Sequence, residues 1–510
     1  MTQKYPVGIQ DFSELRTNGY LYVDKTAFVY KLINEGKYYF LSRPRRFGKS
    51  LFVSTLDYLF KAKKELFNGL FIEDKWDWSK TNPVIKISFS SIGHHYLGLK
   101  EAISQALDKI ADRYQVILTA TTIDQKFQEL IQRLSETHGK VVVLIDEYDK
   151  PIIDYLGQDT AKAIENQGIM KVFYSILKDA DPYLKFVFIT GVSKFSRVSI
   201  FSDLNNITDL TIDKSFSSIC GITQKELDHY FSQELPLFDK EEIKNWYNGY
   251  SWDLEEKVYN PYSLLHFFRE GEFKNFWFET GTPTFLINLS KKALLYDFEN
   301  REVTLNQLSS YDIEKLQLLP LMFQTGYLTL KSYDQVGEIY TLGYPNKEVR
   351  KSYLEVLANS YIENDFEGGV VLVNEMRKAL LNFELDKLKS IINSLFKSIP
   401  YTIWQNENEH SGGAPLYHAI LHLVFSLMGV YVDSEVQTAD GRMDALVRLD
   451  NYVYCFEFKL DGSADLALQQ IREKGYLLPY LNQGKPCIAI GVNFSKKLKN
   501  VEAIKWQTVA

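Results

Sequence analysis

From Tyr38 to about Leu210, short uninterrupted apolar runs alternate with stretches whose apolar residues recur at helical spacing. Runs with no polar alternation predict strands buried on both faces, and the amphipathic stretches between them predict covering helices. The predicted strands are Tyr38–Ser42, Val84–Phe89, Val141–Ile145 and Lys185–Thr190, with Leu99–Ile110 and Asp124–Leu134 as helices. Strand and helix in alternation predict an α/β, doubly wound parallel sheet over residues 1–215.

Past residue ~215 the strand rhythm stops. Helical stretches continue, broken by Tyr247–Tyr250, Tyr259–Tyr262 and Thr280–Pro283, whose Asn-Gly, Asn-Pro and Gly-Thr-Pro signals mark turns. This predicts a helical or winged-helix middle over 216–345. A helical linker follows over 346–395, with Asn364–Val370 as a loop and Lys387–Leu395 periodic. Over 396–510 the polar, glycine-rich Asn406–Gly413 reads as a loop. A helix (Leu416–Met428), a hairpin, a second helix and a strand then form a compact α/β domain.

Composition narrows the class. With 45% apolar residues and no run approaching the ~20 a membrane helix needs, the 510-residue chain reads as globular and without a membrane partner. The first residues lack a secretory apolar run, which predicts a cytoplasmic protein. Cys220, Cys455 and Cys487 form no Cys-x-x-Cys pair, so buried thiols are expected rather than disulfides or a zinc site. A net charge of −7 confines any nucleic-acid contact to local patches.

Ser42-Arg-Pro-Arg-Arg-Phe-Gly-Lys-Ser50 follows the first predicted strand and opens a helix over Leu51–Phe60, the context of a phosphate-binding loop. The backbone of Phe47 and Gly48 would cradle ATP phosphates, Lys49 would reach the β and γ oxygens, and Ser50 would ligate Mg2+. Arg43 replaces the usual first glycine and Pro44 offers no N–H donor; Arg43, Arg45 and Arg46 would bring compensating charge to phosphate or face an acidic partner. Val141–Glu147 is an apolar run ending in two acids, where such a sheet places its ligand crevice. Asp146 would hold Mg2+ and Glu147 would orient or deprotonate water, while the hydroxyls of Thr190–Ser193 would sense the γ-phosphate. A buried strand whose acids cap the next helix, beside a chance Gly-Lys-Ser, is the plain alternative.

Gly441–Lys459 holds the sharper geometry. If Asp450-Asn451 is a two-residue turn, partners across the hairpin sum to 450 + 451 = 901, which sets Asp444 opposite Glu457. Like charges so placed call for a cation, Mg2+ or Mn2+. Lys459 shares Glu457's face and would orient water or stabilise charge developing on a phosphate. The other face pairs Ala445 with Phe456 and Val447 with Tyr454, which predicts that polar chemistry and apolar support separate between the faces. On the following helix Gln470 and Lys474, spaced i, i+4, would steady the site. A solvated hairpin with surface ion pairs is the alternative.

These residues resemble a bacterial family of AAA-ATPase-like proteins fused to a C-terminal PD-(D/E)xK nuclease domain. The resemblance spans nearly the whole chain, through Tyr22–Thr26, Arg43–Ser50, Leu144–Asp149, Thr190–Ser193, Trp246–Tyr250 and Tyr259–Pro261. It implies that the arginine-rich loop is the family's own pattern, that Asp444 and Glu457 hold the metal, and that Lys459 is the motif lysine. Arg-Met-Asp444 lacks the proline of the family name, and no acid lies within Leu416–Met428, although Glu407, Glu409 or Glu435 would be near enough to help; the number of metals stays open.

Weaker signals carry less. His418 and His422 have zinc spacing without an intervening acid, and are expected on a helix surface or facing DNA. His94-His95 is expected in a loop. Asp24 and Lys25 would touch the nucleotide base or form a structural pair. Arg197 would act as an arginine finger or lie solvated, and Lys496, Lys497 and Lys499 would meet phosphates or solvent. The leading expectation is an ATP-binding, ATP-hydrolysing protein whose nuclease domain cleaves nucleic acid, DNA before RNA, with homo-oligomerisation left open. The alternatives are an ATP-dependent switch that binds nucleic acid or a protein without cutting, and a nuclease whose ATPase half binds nucleotide without turnover.

Overall fold

The computed structural model describes residues 3–509 apart from 195–199, 202–203, 205, 278–283, 294–297, 310–312, 314–315, 361–367, 398–419, 421–422, 426, 429–432, 435–436, 439–440, 443 and 496. The chain divides into two compact units, Met1–Thr280 with Glu299–Glu348, and Gly281–Phe298 with Val349–Ala510.

In the first unit, β1 (Tyr38–Ser42), β2 (Val84–Ser88), β3 (Val141–Asp146), β4 (Leu184–Gly191) and β5 (Thr208–Asp209) form one sheet in the order β2-β3-β4-β1-β5. Every pairing is parallel. Helices Lys49–Phe60, Leu99–Arg113, Ile123–His138 and Thr160–Asp179 supply the crossovers. All of β1 and β3 is buried, the reason these strands read as unbroken apolar runs. The four expected strands appear within a residue or two of their expected ends. β5 is two residues long, too short to leave a periodic signal. Because β4 lies between β1 and β3, Gly191 pairs with Ser42 and Ile189 with Ile145. The phosphate-loop strand, the Thr190 strand and the acidic strand thus end side by side.

The same unit holds the helices Gln224–Tyr230, Lys240–Tyr247 and Pro261–Glu270, capped by Thr223, Asp239 and Asn260 respectively. Further on, Arg301–Thr304, two helices (Leu305–Ser309 and Leu318–Thr325), Thr329–Asp334 and Ile339–Gly343 follow in the order strand, helix, helix, strand, strand. Their three antiparallel strands give the sheet-and-wing connectivity of a winged helix.

In the second unit a mixed sheet runs Asp433–Ser434, Ala445–Arg448, Val453–Leu460, Cys487–Ser495, Asn500–Val509. Val453–Leu460 and Cys487–Ser495 are parallel, and helix Ala464–Glu473 makes the required crossover. Helices Gly368–Leu381 and Leu388–Lys397 belong to the same unit, where Asn393 Oδ1 accepts from the Val501 amide at 2.7 Å. Of the expected helix Leu416–Met428, the described residues Ile420, Leu423–Phe425, Leu427 and Met428 are helical and buried. The expected loop Asn406–Gly413 lies outside the described residues, as does most of Asn364–Val370, whose last residues instead begin helix Gly368–Leu381.

Candidate functional site

The first candidate sits at the C-terminal edge of the parallel sheet. Gly48 (φ 92°) and Arg46 (φ 68°) take left-handed conformations, turning the chain sharply from β1 into the helix that begins at Lys49. Lys49 is buried, and its Nζ donates to the carbonyl oxygens of Arg43 and Pro44, both at 2.9 Å. Burial lowers its pKa, and the Asp146 carboxylate pulls the other way. Asp146 is raised by burial, offset by a hydrogen bond from Ser50 and the charge of Lys49. Three buried oxygens here have no hydrogen-bond partner: Asp146 Oδ1, Glu147 Oε2 and Thr190 Oγ1. Glu147 itself holds φ 53°, a strained conformation for a residue with a Cβ. Unsatisfied acceptors gathered beside a lysine and a helix start suit a hydrated cation and a phosphate chain.

A cleft of about 410 Å³ opens over this edge. Arg45, Arg46, Gly48, Lys49 and Ser50 line it, with Glu147, Asp149 and Lys150 also on its wall. Residues Pro6–Gln10, Tyr262 and Leu265 complete it; no motif in the sequence marks these. Arg45 and Arg46 are exposed, and the Arg46 guanidinium lies 4.7 Å from the centre of the Tyr262 ring.

Two side chains of the phosphate loop are turned into the protein. Arg43 is fully buried and donates to the carbonyls of Ser42, Thr211, Phe216 and Ser217, with its guanidinium stacked 4.1 Å from the Trp252 ring. Its N–H donors are directed at protein carbonyls, and the side chain does not line the cleft described above. The Phe47 ring is likewise buried, edge-on to Tyr250 (4.7 Å) and Trp252 (5.5 Å), leaving its backbone alone for the ligand. Ser193 is also taken: its hydroxyl and amide donate to Asp149 Oδ2 at 2.7 and 2.6 Å. Asp149 closes the Leu144–Asp149 segment of the resemblance but was given no role from the sequence; buried among three donors, it ties the end of β4 to the acidic strand. Lys25 pairs with Glu226 at 2.6 Å, the structural option, and Asp24 accepts from the Thr26 amide and hydroxyl.

The second candidate is the hairpin. Ala445 pairs with Phe456, Leu446 with Cys455, Val447 with Tyr454 and Arg448 with Val453, the register expected from a turn at Asp450-Asn451. Asp444, the next residue out, accepts from the Phe458 amide through Oδ2 at 2.7 Å. Glu457 is buried; Oε1 accepts from Lys459 Nζ at 3.0 Å, while Oε2 is buried with no hydrogen-bond partner. Lys459 Nζ also donates to Gln470 Oε1. Burial first, then the charge of Asp444, pushes the Glu457 carboxyl up to about 7 against the pull of Lys459. The residues therefore fit a divalent cation, which would stabilise the ionised Glu457 and satisfy Oε2. Lys474 is exposed at the helix end.

The two faces do not separate as expected. Val453 and Cys455, on Glu457's face, pack with Leu468, Ile471 and Tyr476 beneath the crossover helix. Phe456 and Phe458 on the other face meet Phe425 at 4.8 and 5.9 Å. Both faces are core near the turn, and polar chemistry is confined to the open end of the strand.

His418, His422, Glu407, Glu409, Glu435, Arg197 and Lys496 lie outside the described residues. Cys220, Cys455 and Cys487 are buried, free thiols. Among the described residues no helix is long and apolar enough to cross a membrane.

Comparison with known proteins agrees with this architecture. Residues 6–201 match a family model described as "Predicted AAA-ATPase", and residues 415–504 match that of the PD-(D/E)XK nuclease superfamily. A protein of Azotobacter chroococcum mcd 1, described as an uncharacterized protein in the vnfD 5′ region, is 39% identical over 510 residues, 98% of each chain. No solved structure matches the chain. Two halves with these folds, each carrying its own acidic site, and a relative alike from end to end mean that the chain belongs to the family joining a predicted AAA-ATPase domain to a C-terminal PD-(D/E)XK nuclease domain.

Proposed function

We propose that this protein binds and hydrolyses ATP in its N-terminal half and cleaves nucleic-acid phosphodiesters in its C-terminal half, with DNA the first polymer to test. The observation that carries the nuclease reading is Glu457: a buried carboxylate with one unpartnered oxygen, close to Asp444 in charge and tied through Lys459 to Gln470. A buried acid left so is costly without a cation.

Mg2+ or Mn2+ held by Asp444 and Glu457 would supply Lewis acidity to the phosphate and a more acidic water. Lys459, aimed by Gln470, balances the negative charge that develops on the phosphate oxygens. In the other half, Lys49 leaves the carbonyls of Arg43 and Pro44 for the β and γ phosphates, and the exposed Arg45 and Arg46 add charge at the cleft mouth. Ser50 and Asp146 hold the Mg2+ that accompanies ATP. Glu147 Oε2 orients the attacking water and takes its proton, and Thr190 Oγ1 reads the γ-phosphate. We further propose a cytoplasmic protein whose nucleotide state governs access to nucleic acid or assembly with further copies.

The test is cleavage of single- and double-stranded DNA and RNA with Mg2+ or Mn2+, with and without ATP. Glu457→Ala is expected to abolish cutting, and Glu147→Gln to abolish turnover while retaining ATP. Binding of nucleic acid with no cutting under every condition would instead favour a non-cleaving switch.

A further inference from the structure

A cluster of side chains outside both sites remains without a role. His94 and His95 open the short helix His94–Leu97, just beyond the end of β2, after Gly93 turns the chain. Asp154 follows the helix Lys150–Ile153, just beyond the end of β3. β2 and β3 are neighbours in the sheet, so these segments meet at its C-terminal edge.

The three side chains converge. His95 Nε2 lies 2.8 Å from Asp154 Oδ2, and His94 Nε2 lies 3.4 Å from the same oxygen. One ligand atom from each lies within 4.8 Å of the others, and the two ring centres are 4.1 Å apart with the planes tilted by 34°. Around a tetrahedral ion with bonds of ~2.0–2.1 Å, neighbouring ligand atoms are separated by about 3.3 Å. The two distances to Asp154 Oδ2, 2.8 and 3.4 Å, lie near that value, and the histidines would have to draw together around the ion.

A carboxylate between histidines is common without a metal, and a second observation decides the matter. His94 is 4% exposed, and its buried Nε2, though 3.4 Å from Asp154 Oδ2, makes no hydrogen bond of good geometry. The two groups are close enough to share an ion, yet too poorly directed for the acid alone to satisfy the nitrogen. His95, by contrast, is half exposed, which gives an ion a route from solvent. The surroundings resemble an outer shell: Tyr155 Oη is 3.3 Å from His95 Nδ1, and Lys150 Nζ holds Asp154 Oδ1 at 3.0 Å, leaving Oδ2 for the ion.

We propose that His94, His95 and Asp154 bind a divalent transition-metal ion of the zinc class. Two imidazoles and one carboxylate select Zn2+, Co2+ or Ni2+ over Mg2+, so the site is chemically separate from the magnesium sites of the two halves. With three protein ligands it keeps room for water. Bound metal would pin the segment after β2 to the helix after β3, whose Lys150 also lines the nucleotide cleft.

The experiment uses the full chain stripped by chelator and titrated at neutral pH with Co2+, read by visible absorption, and with Zn2+, read by calorimetry. One tight site is expected in the wild type and in Asp444→Asn, and its loss in both His95→Ala and Asp154→Asn. Lys150→Ala retains all three ligands while removing the outer-shell hydrogen bond to Asp154, and should weaken Zn2+ binding by about ten-fold or more. Absence of a tight site in the wild type overturns the proposal. So does a site that survives in both ligand variants, or affinity in Lys150→Ala that is unchanged or tighter.

Discussion

Lys459 Nζ sits 3.0 Å from Glu457 Oε1, two residues earlier on the same strand, and spans from there to Gln470 on the crossover helix. The lysine relieves one oxygen of the buried acid and leaves the other unpartnered. An anion held this way favours protonation, and that has a sign that can be measured.

Glu457 moves from an ordinary value of 4.5 to about 7 in the fold, mainly through burial. Between those values the native state holds a proton that the unfolded state releases, so metal-free stability falls as pH rises through that window. Glu457→Gln should remove this fall and raise metal-free stability at pH 8 by on the order of 2 kcal/mol. The same variant should lose the increase in Tm that Mn2+ gives the wild type. Thermal melts at pH 5 and pH 8, with and without Mn2+, check both; a Gln variant still stabilised by Mn2+ as the wild type is would remove Glu457 from the metal site.

Lys49 offers a second test. Its ammonium is held by two backbone carbonyls, which a phosphate chain would replace with stronger, charge-assisted bonds. Lys49→Ala should weaken ATP binding by at least about 100-fold. Calorimetric titration with ATP and Mg2+ reads this, and retained affinity would place the phosphates elsewhere.

Much of this was legible in the sequence, for reasons that differ by element. β1 and β3 are apolar throughout because both faces are covered, and the hairpin register followed from a two-residue turn and the strand period of two. The covered acid face was missed, although Val453 and Cys455 share the parity of Glu457 and carried the signal. Arg43 was different. A loop arginine reads the same whether it meets ligand or protein carbonyls, and the carbonyls it meets lie on a segment about 170 residues away, at Thr211, Phe216 and Ser217. The convergence of His94 and His95 with Asp154 depended in the same way on β2 and β3 being neighbours.

Backbone packing near the Trp246–Tyr250 segment makes a third prediction. Gly249 has φ 111°, and a Cβ there would lie 2.0 Å from the carbonyl oxygen of Pro345. Neither backbone can yield cheaply. Gly249→Ala should cost roughly 3 kcal/mol or more, whereas Gly139→Ala, at φ 86° with nothing within 4 Å, should cost about 1 kcal/mol. Urea unfolding of the two variants separates them, and equal midpoints would refute the close approach.

Arg43 and Arg46 lie three residues apart in one loop and should fail in opposite ways. Arg43 is buried against four carbonyls and an indole ring, so Arg43→Met strips donors from buried acceptors and should cost about 3–5 kcal/mol. Arg43→Lys should recover little of this, because one ammonium cannot span carbonyls on both sides of the loop as the planar guanidinium does. Arg46 is exposed at the cleft and rests on Tyr262. Arg46→Ala should leave Tm within a degree or two while weakening ATP several-fold, since it removes charge from the cleft and almost no packing. Melting curves and ATP titrations on the three variants form one comparison. If Arg43→Lys kept its Tm and lost ATP, the guanidinium would be a ligand group and not a structural one.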